Sequence, residues 1–272
     1  MGQQHRRTGG AVAAVAAVGL MAVATGCSGS GAAVEAKRAG DPGDVVRGAA
    51  DSLVRAGSSK ASTSLEMASG GTRVTIRGKG VYDFEGQRGR FQVVLPKDPA
   101  GDDEHRPITE LLTPGALYMK NRGAGVPADK WVRIETASLS DGNLVTGGAT
   151  DPLAAAELLR GTRHVAYVGE ERVGGAEVRH YRGVADIGGA AKAASAGQRG
   201  ALAAAAAKGF SRQGVHFDVY LDDRGRVRKL RQQFRMAEAN VASTTLLYDF
   251  GAPAEVRLPA AGDIFAGKIA ER

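Results

Sequence analysis

Residues Thr72–Phe84 read TRVTIRGKGVYDF. Thr72, Val74, Ile76, Gly78, Gly80, Tyr82 and Phe84 fall on one side of an extended chain, and Arg73, Thr75, Arg77, Lys79 and Asp83 on the other. Successive side chains of a strand point to opposite faces, so this period of two predicts a strand with one apolar and one wet face. One-faced strands belong to antiparallel sheets, because strands covered on both faces read as continuous apolar runs. Gly78 and Gly80 inside the strand predict bending.

The pattern extends both ways. Upstream, Thr63, Leu65 and Met67 alternate with Ser62, Ser64 and Glu66, and Gly70-Gly71 makes a hairpin turn. Downstream, Gly86 turns the chain, and Phe91, Val93 and Leu95 continue the apolar face. Residues 96–107 read as a polar loop. Further strands are expected at 108–112, 116–121, 131–135, 164–168, 177–184, 215–221, 227–236 and 241–250. Asp222-Asp223-Arg224-Gly225 supplies a tight turn.

Three segments carry the helical signal. Asp44 is placed to cap a helix bearing Val45, Val46, Ala49, Leu53 and Val54, with Gly57 as its stop. Asp151-Pro152 opens a second helix that ends at Gly161. Residues 187–208 are rich in Ala, with Leu202 almost the only bulky side chain, and read as a mobile helix or lid.

The expected fold class is α+β, mainly antiparallel β: a curved half-barrel sheet wrapped around an N-terminal helix and inserted helices. A one-faced sheet must cover its apolar face. With 7 Phe, 6 Tyr and 1 Trp, large rings are scarce for filling a thick core. Strand parity marks Leu65, Met67, Val74, Ile76, Tyr82, Phe84, Phe91 and Val93 as candidate walls of a ligand cavity. The same residues fit an ordinary packed core, since both have one apolar signature.

The N-terminus speaks to compartment. His5, Arg6 and Arg7 precede an uncharged run, Ala11 to Thr25, too short for a bilayer span of about 20 residues and suited to a secretory signal. The run ends in Ala24-Thr25-Gly26-Cys27, with the chain's only Cys, before a Ser/Gly stretch. Small residues before a Cys resemble a bacterial lipobox, in which the thiol takes a diacylglycerol and cleavage precedes it. Ala24 departs from the usual Leu, and an ordinary signal with an incidental Cys is the alternative. Arg6-Arg7 lacks the apolar continuation of a twin-arginine signal. The organisation expected is signal peptide 1–26, lipid-anchored tether 27–43, main domain 44–260 and C-terminal tail 261–272, with the domain held at the extracytoplasmic face of the cell membrane. Loss of Arg6 and Arg7 lowers the net charge from +7 to +5. No Lys/Arg block marks a nucleic-acid site.

A search for chemistry is unproductive. A single Cys excludes disulfide scaffolds and Cys-based zinc sites. His105, His164, His180 and His216 show no metal-ligand spacing, and His180 is expected on a strand, facing solvent or a neighbouring strand. Gly209-Phe210-Ser211-Arg212-Gln213 fails the nucleophile-elbow pattern at its last position. The carboxylate runs Asp102-Asp103-Glu104, Glu170-Glu171 and Asp222-Asp223 fall in expected turns. Trp131 is expected in the core or at its rim. No enzyme activity, cofactor or metal is expected.

Three stretches carry a resemblance. They are Leu117-Tyr118-Met119-Lys120 with Lys130-Trp131-Val132-Arg133; Val168-Gly169-Glu170 through Val173-Gly174-Gly175 to His180-Tyr181; and Val219-Tyr220-Leu221-Asp222 through Gly225-Arg226-Val227. With the lipobox and the order of elements, the chain resembles LppX/LprG-type lipoproteins of the LolA/LolB superfamily over residues 44–258. The resemblance implies a half-open antiparallel barrel whose helices close an apolar cavity. It also implies a function in binding or moving acylated lipids, or lipoproteins, across the cell envelope. A non-enzymatic lipoprotein that docks on a signalling or envelope partner is the alternative, and no protein partner is identified.

Overall fold

The computed structural model describes residues 40–69, 71–96, 106–123, 125–235 and 239–267. Residues 1–39, with Cys27, the expected signal and most of the expected tether, lie outside them, as do His105 and Asp102-Asp103-Glu104; Pro42 and Gly43, expected in the tether, already belong to the first helix.

Eleven strands form one sheet. They are β1 (Ser58–Ser69), β2 (Thr72–Asp83), β3 (Arg88–Val94), β4 (Ile108–Thr113), β5 (Ala116–Lys120), β6 (Trp131–Glu135), β7 (Thr162–Val173), β8 (Ala176–Ala185), β9 (Val215–Leu221), β10 (Val227–Arg235) and β11 (Asn240–Tyr248). Their spatial order is β6-β5-β4-β3-β2-β1-β11-β10-β9-β8-β7. Every neighbouring pair is antiparallel. Two meanders, β1–β6 and β7–β11, are thus joined along β1 and β11, with Leu65 opposite Ser243. The sheet stays open, with β6 and β7 as its edges.

β1 and β2 pair as neighbours with Ser69 opposite Thr72, and Val74 and Ile76 pair with Met67 and Leu65 on one face; Gly70 of the expected turn lies outside the described residues. Gly80 has a steric reason: a Cβ there would lie 2.0 Å from the Arg90 carbonyl oxygen on β3. At Gly78 a Cβ would meet Thr63 Oγ1 at 2.6 Å and Ala149 Cβ at 3.1 Å. The glycine therefore leaves room for a segment that crosses the face.

That crossing follows from topology. β6 and β7 are consecutive in the chain and lie at opposite edges, so residues 136–161 must traverse the sheet. They do so over the apolar face, with residues 141–145 and 149–159 all buried. The segment carries helix α3 (Pro152–Leu158). Helices α1 (Pro42–Arg47), α2 (Ala49–Ala56), α4 (Ile187–Ala193) and α5 (Ala196–Ala207) complete the cover. The fold is the α+β, mainly antiparallel half-barrel expected.

Several local expectations change. Glu170-Glu171, expected in a turn, lie on β7, which runs on to Val173. The N-terminal helix starts earlier: Asp41, not Asp44, is the cap, its side chain accepting from the Asp44 N–H at 3.1 Å. It also breaks into α1 and α2 at Gly48. The Ala-rich segment is two helices rather than one, parted at Ala194-Ser195, and Ala190, Ala191, Ala194, Ala201, Leu202 and Ala205 are buried. Small side chains let these helices sit close to the elements beneath them.

The chain after β11 crosses the other face. Ser58 Oγ donates to Ala252 O at 2.7 Å beside β1. Ile264 then bridges Trp131 on β6, and the Phe265 N–H donates to Trp131 O at 2.8 Å. Between these anchors lies a second apolar cluster of Leu111, Ala116 and Tyr118, packed by Trp131, Val256 and Ile264. Trp131 is accordingly half-buried under this strap, with Lys120 Nζ 5.7 Å from its ring centre.

Candidate functional site: the concave face and its cover

The eight residues picked by parity divide into two groups. Tyr82, Phe84, Phe91 and Val93 have no solvent-accessible surface, and Leu65 retains 2%. Tyr82 and Phe84 rings lie 5.1 Å apart in a tilted pair. Met67, Val74 and Ile76 are half-buried, and all lie toward the Gly70-Gly71 end of the β1–β2 hairpin. Met67 pairs across the sheet with Val241, which pairs with Phe234 on β10. The Phe234 ring stacks on Phe210 at 5.6 Å.

The cover is tied down by polar groups. Glu110 on β4 is fully buried; its Oε1 accepts from the Gly148 N–H at 2.9 Å and its Oε2 from the Ala149 N–H at 3.0 Å. Burial pushes this carboxyl up to about 7, against the pull of the Ala149 and Gly148 N–H groups. Asp141 accepts from the N–H groups of Asn143 at 3.1 Å and of Val145 and Thr146 at 2.7 Å. Asp151 caps α3 through the Leu153 and Ala154 N–H groups, and burial raises its carboxyl despite them. Thr150 and Ser243 hydroxyls meet at 2.7 Å, and Gln232 Nε2 donates to Ala155 O at 3.0 Å. Arg160 joins Glu157 of α3 and Asp51 of α2, each at 2.6 Å, and the Ser195 N–H donates to Glu157 Oε2 at 3.2 Å. The crossing segment and the helices are thus one hydrogen-bonded layer.

Glu110 went unremarked in the sequence, although the signal is there. In Ile108-Thr109-Glu110-Leu111-Leu112 it takes the same parity as Ile108 and Leu112. A carboxylate at an apolar parity position either faces water or meets buried donors, and here the donors come from 38 and 39 residues away.

The opposite face holds a second polar cluster. The His180 side chain is 5% exposed and bridges two carboxylates, Nδ1 to Glu171 Oε1 at 2.8 Å and Nε2 to Asp218 Oδ1 at 2.7 Å. Each ring nitrogen thus lies within hydrogen-bond reach of a carboxylate oxygen. Its ring stacks on Tyr220 at 4.3 Å. Of the two orientations expected for His180, the structure takes the neighbouring-strand one. Burial raises the Asp218 carboxyl, but the His180 and Arg182 hydrogen bonds outweigh it and hold the group below the usual aspartate range.

No protein-family model and no curated protein matches the chain. Among solved structures it is similar to LprF from Mycobacterium bovis, at 11% identity over 81% of this chain and 97% of that one, with a TM-score of 0.42. It is also similar to the Mycobacterium tuberculosis lipoprotein LppX, at 11% identity over 79% of this chain and 98% of that one, with a TM-score of 0.45. A LolA superfamily protein from Nitrosomonas europaea matches at 10% identity over 74% of this chain and 94% of that one, with a TM-score of 0.31.

Proposed function

We propose that this chain is a membrane-anchored, extracytoplasmic lipoprotein that binds or carries an acylated hydrophobic ligand on the concave face of its sheet, and catalyses no reaction. One observation carries the reading: the apolar face runs past its cover. Beyond the sealed Leu65, the residues Met67, Val74 and Ile76 continue the face with only partial burial. An acyl chain entering at this end would complete their burial. To go further it must displace the crossing segment. Each buried methylene of the ligand contributes about 0.8 kcal/mol, which is set against both the hydrogen bonds of the cover and the burial of its own Leu144, Leu153, Leu158 and Leu159.

The anchor in this reading is Cys27, its thiol alkylated by diacylglycerol and the chain cleaved between Gly26 and Cys27, with residues 27–43 as tether. Two acyl chains hold a protein stably at a membrane.

A second reading, a lipoprotein that docks on an envelope or signalling partner, is favoured by the complete burial of Tyr82, Phe84, Phe91 and Val93. Native mass spectrometry of purified Ser28–Arg272 separates the two. Co-purified lipid, or saturable binding of acyl probes, is expected of a carrier. Absence of both would leave the docking reading.

A further inference from the structure

A recess of about 270 Å³ opens where the β1–β2 and β10–β11 hairpins end together. Arg73 of β2 and Arg231 and Arg235 of β10 line it, with Glu66 as the one carboxylate on its wall. Register explains the convergence. Arg73 lies opposite Ala68, Ala68 opposite Asn240, and Asn240 opposite Arg235. Arg73 and Arg235 therefore stand in one row, three strand spacings or about 14 Å apart. The small side chain of Ala68 between them leaves the space open.

Among the described residues, Arg73 and Arg231 make no ion pair, and the Arg235 guanidinium donates to the Gln213 amide oxygen at 2.7 Å, so cations outnumber the single carboxylate, Glu66, among the described residues that line the recess. Some cations elsewhere on this face are paired, Arg182 with Asp218 at 2.9 Å and Lys60 with Asp249 at 2.9 Å; others, such as Arg77, Lys79, Arg88 and Arg90, make no ion pair among the described residues but are not on the wall of this recess. Unpaired guanidiniums gathered around a recess create a strong local positive potential. Each presents a planar fork of donors. A carboxylate is satisfied by one such fork, whereas a tetrahedral oxyanion accepts from several directions at once. The volume lies just under the range of sites for drug-sized ligands, about 300–1,000 Å³, and suits a small anionic group.

We propose that this recess is a binding site for a phosphate-type anion, either a lipid headgroup or a free phosphate compound. The proposal rests on the arginines alone and is independent of the carrier reading. The test titrates the purified full chain, in mild detergent, with inorganic phosphate, and separately with phosphatidylglycerol or phosphatidylcholine in the same micelles. Saturable binding is expected, weakened at least about tenfold in R73A/R231A, as for loss of charge-assisted contacts. It should be unaffected in R88A/R90A, which removes the same charge from another part of the face. Binding of inorganic phosphate identifies a soluble source, and binding of phosphatidylglycerol micelles alone identifies a headgroup; either supports the site. No saturable binding of either probe, or equal weakening by the control pair, overturns it.

Discussion

The carboxylate of Glu110 accepts the Gly148 N–H at 2.9 Å, joining the fourth strand to the segment that crosses the sheet. The Glu110 side chain is fully buried. The free energy of the contact therefore depends on whether the group carries charge.

Glu110 predicts that stability falls as pH rises. Its folded value of about 7 lies above its ordinary 4.5. Between the two, the folded state holds a proton that the unfolded chain lacks. The contribution is fully present below 4.5 and is lost as pH rises through 7. A shift of that size corresponds to about 3 kcal/mol. Urea unfolding at pH 5 and pH 8 should show the loss in the wild type and a much flatter response in Glu110→Gln. Equal pH dependence in the two proteins would rule out this account.

The His180 bridge predicts a cost at neutral pH. His180→Ala removes the Nδ1 partner of Glu171 and one of two hydrogen-bonding side chains from Asp218. A loss of about 1–3 kcal/mol is expected. Because the Asp218 carboxyl is held below its ordinary 3.8, its contribution is present above that value and is lost as pH falls through the folded one. The variant should thus lose less stability than the wild type between pH 7 and pH 3. Denaturation midpoints at the two pH values decide it.

Two glycines should respond with opposite signs. Gly80→Ala places a methyl 2.0 Å from a backbone oxygen of β3 and should cost about 1–3 kcal/mol or more. Gly200 lies inside α5 with nothing within 4 Å of an added Cβ. Gly200→Ala should stabilise by about 0.5–1 kcal/mol, since glycine is a poor helix former. Thermal melts of both variants give the comparison.

The C-terminal strap shields the Leu111–Tyr118 cluster, which Val256 and Ile264 help to cover. Truncation after Ala252 should expose it, red-shift the emission of the only Trp, Trp131, and promote association. An unchanged emission maximum would show that the strap is not what covers Trp131.

The anchor is tested at Cys27. Cys27→Ser should move the protein from the membrane fraction to a soluble or uncleaved form. Flotation of a cleaved Cys27→Ser chain with membranes would exclude lipidation at this residue.

Much of the fold is legible in the residues, and the illegible parts share a cause. Hairpins such as Thr63–Met67 with Val74–Gly78 are encoded locally, by alternation around Gly70-Gly71. The pairing of β1 with β11, at the far end of the chain, is not, because many one-faced strands would present compatible edges. The split of α4 from α5 was hidden by uniform Ala content, which shows helix propensity without marking a boundary.

The sequence by itself determined which residues share a face, that one face of the sheet is apolar, and that the lone Cys follows an uncharged apolar run. A period of two carries that information directly. Only the tertiary structure decided what lies on the face. It brought Gly148 and Ala149 onto Glu110, buried His180 between Glu171 and Asp218, and gathered Arg73, Arg231 and Arg235 at one recess. Parity tells which way a side chain points; whether it meets water, its own chain or a partner depends on segments far away in sequence.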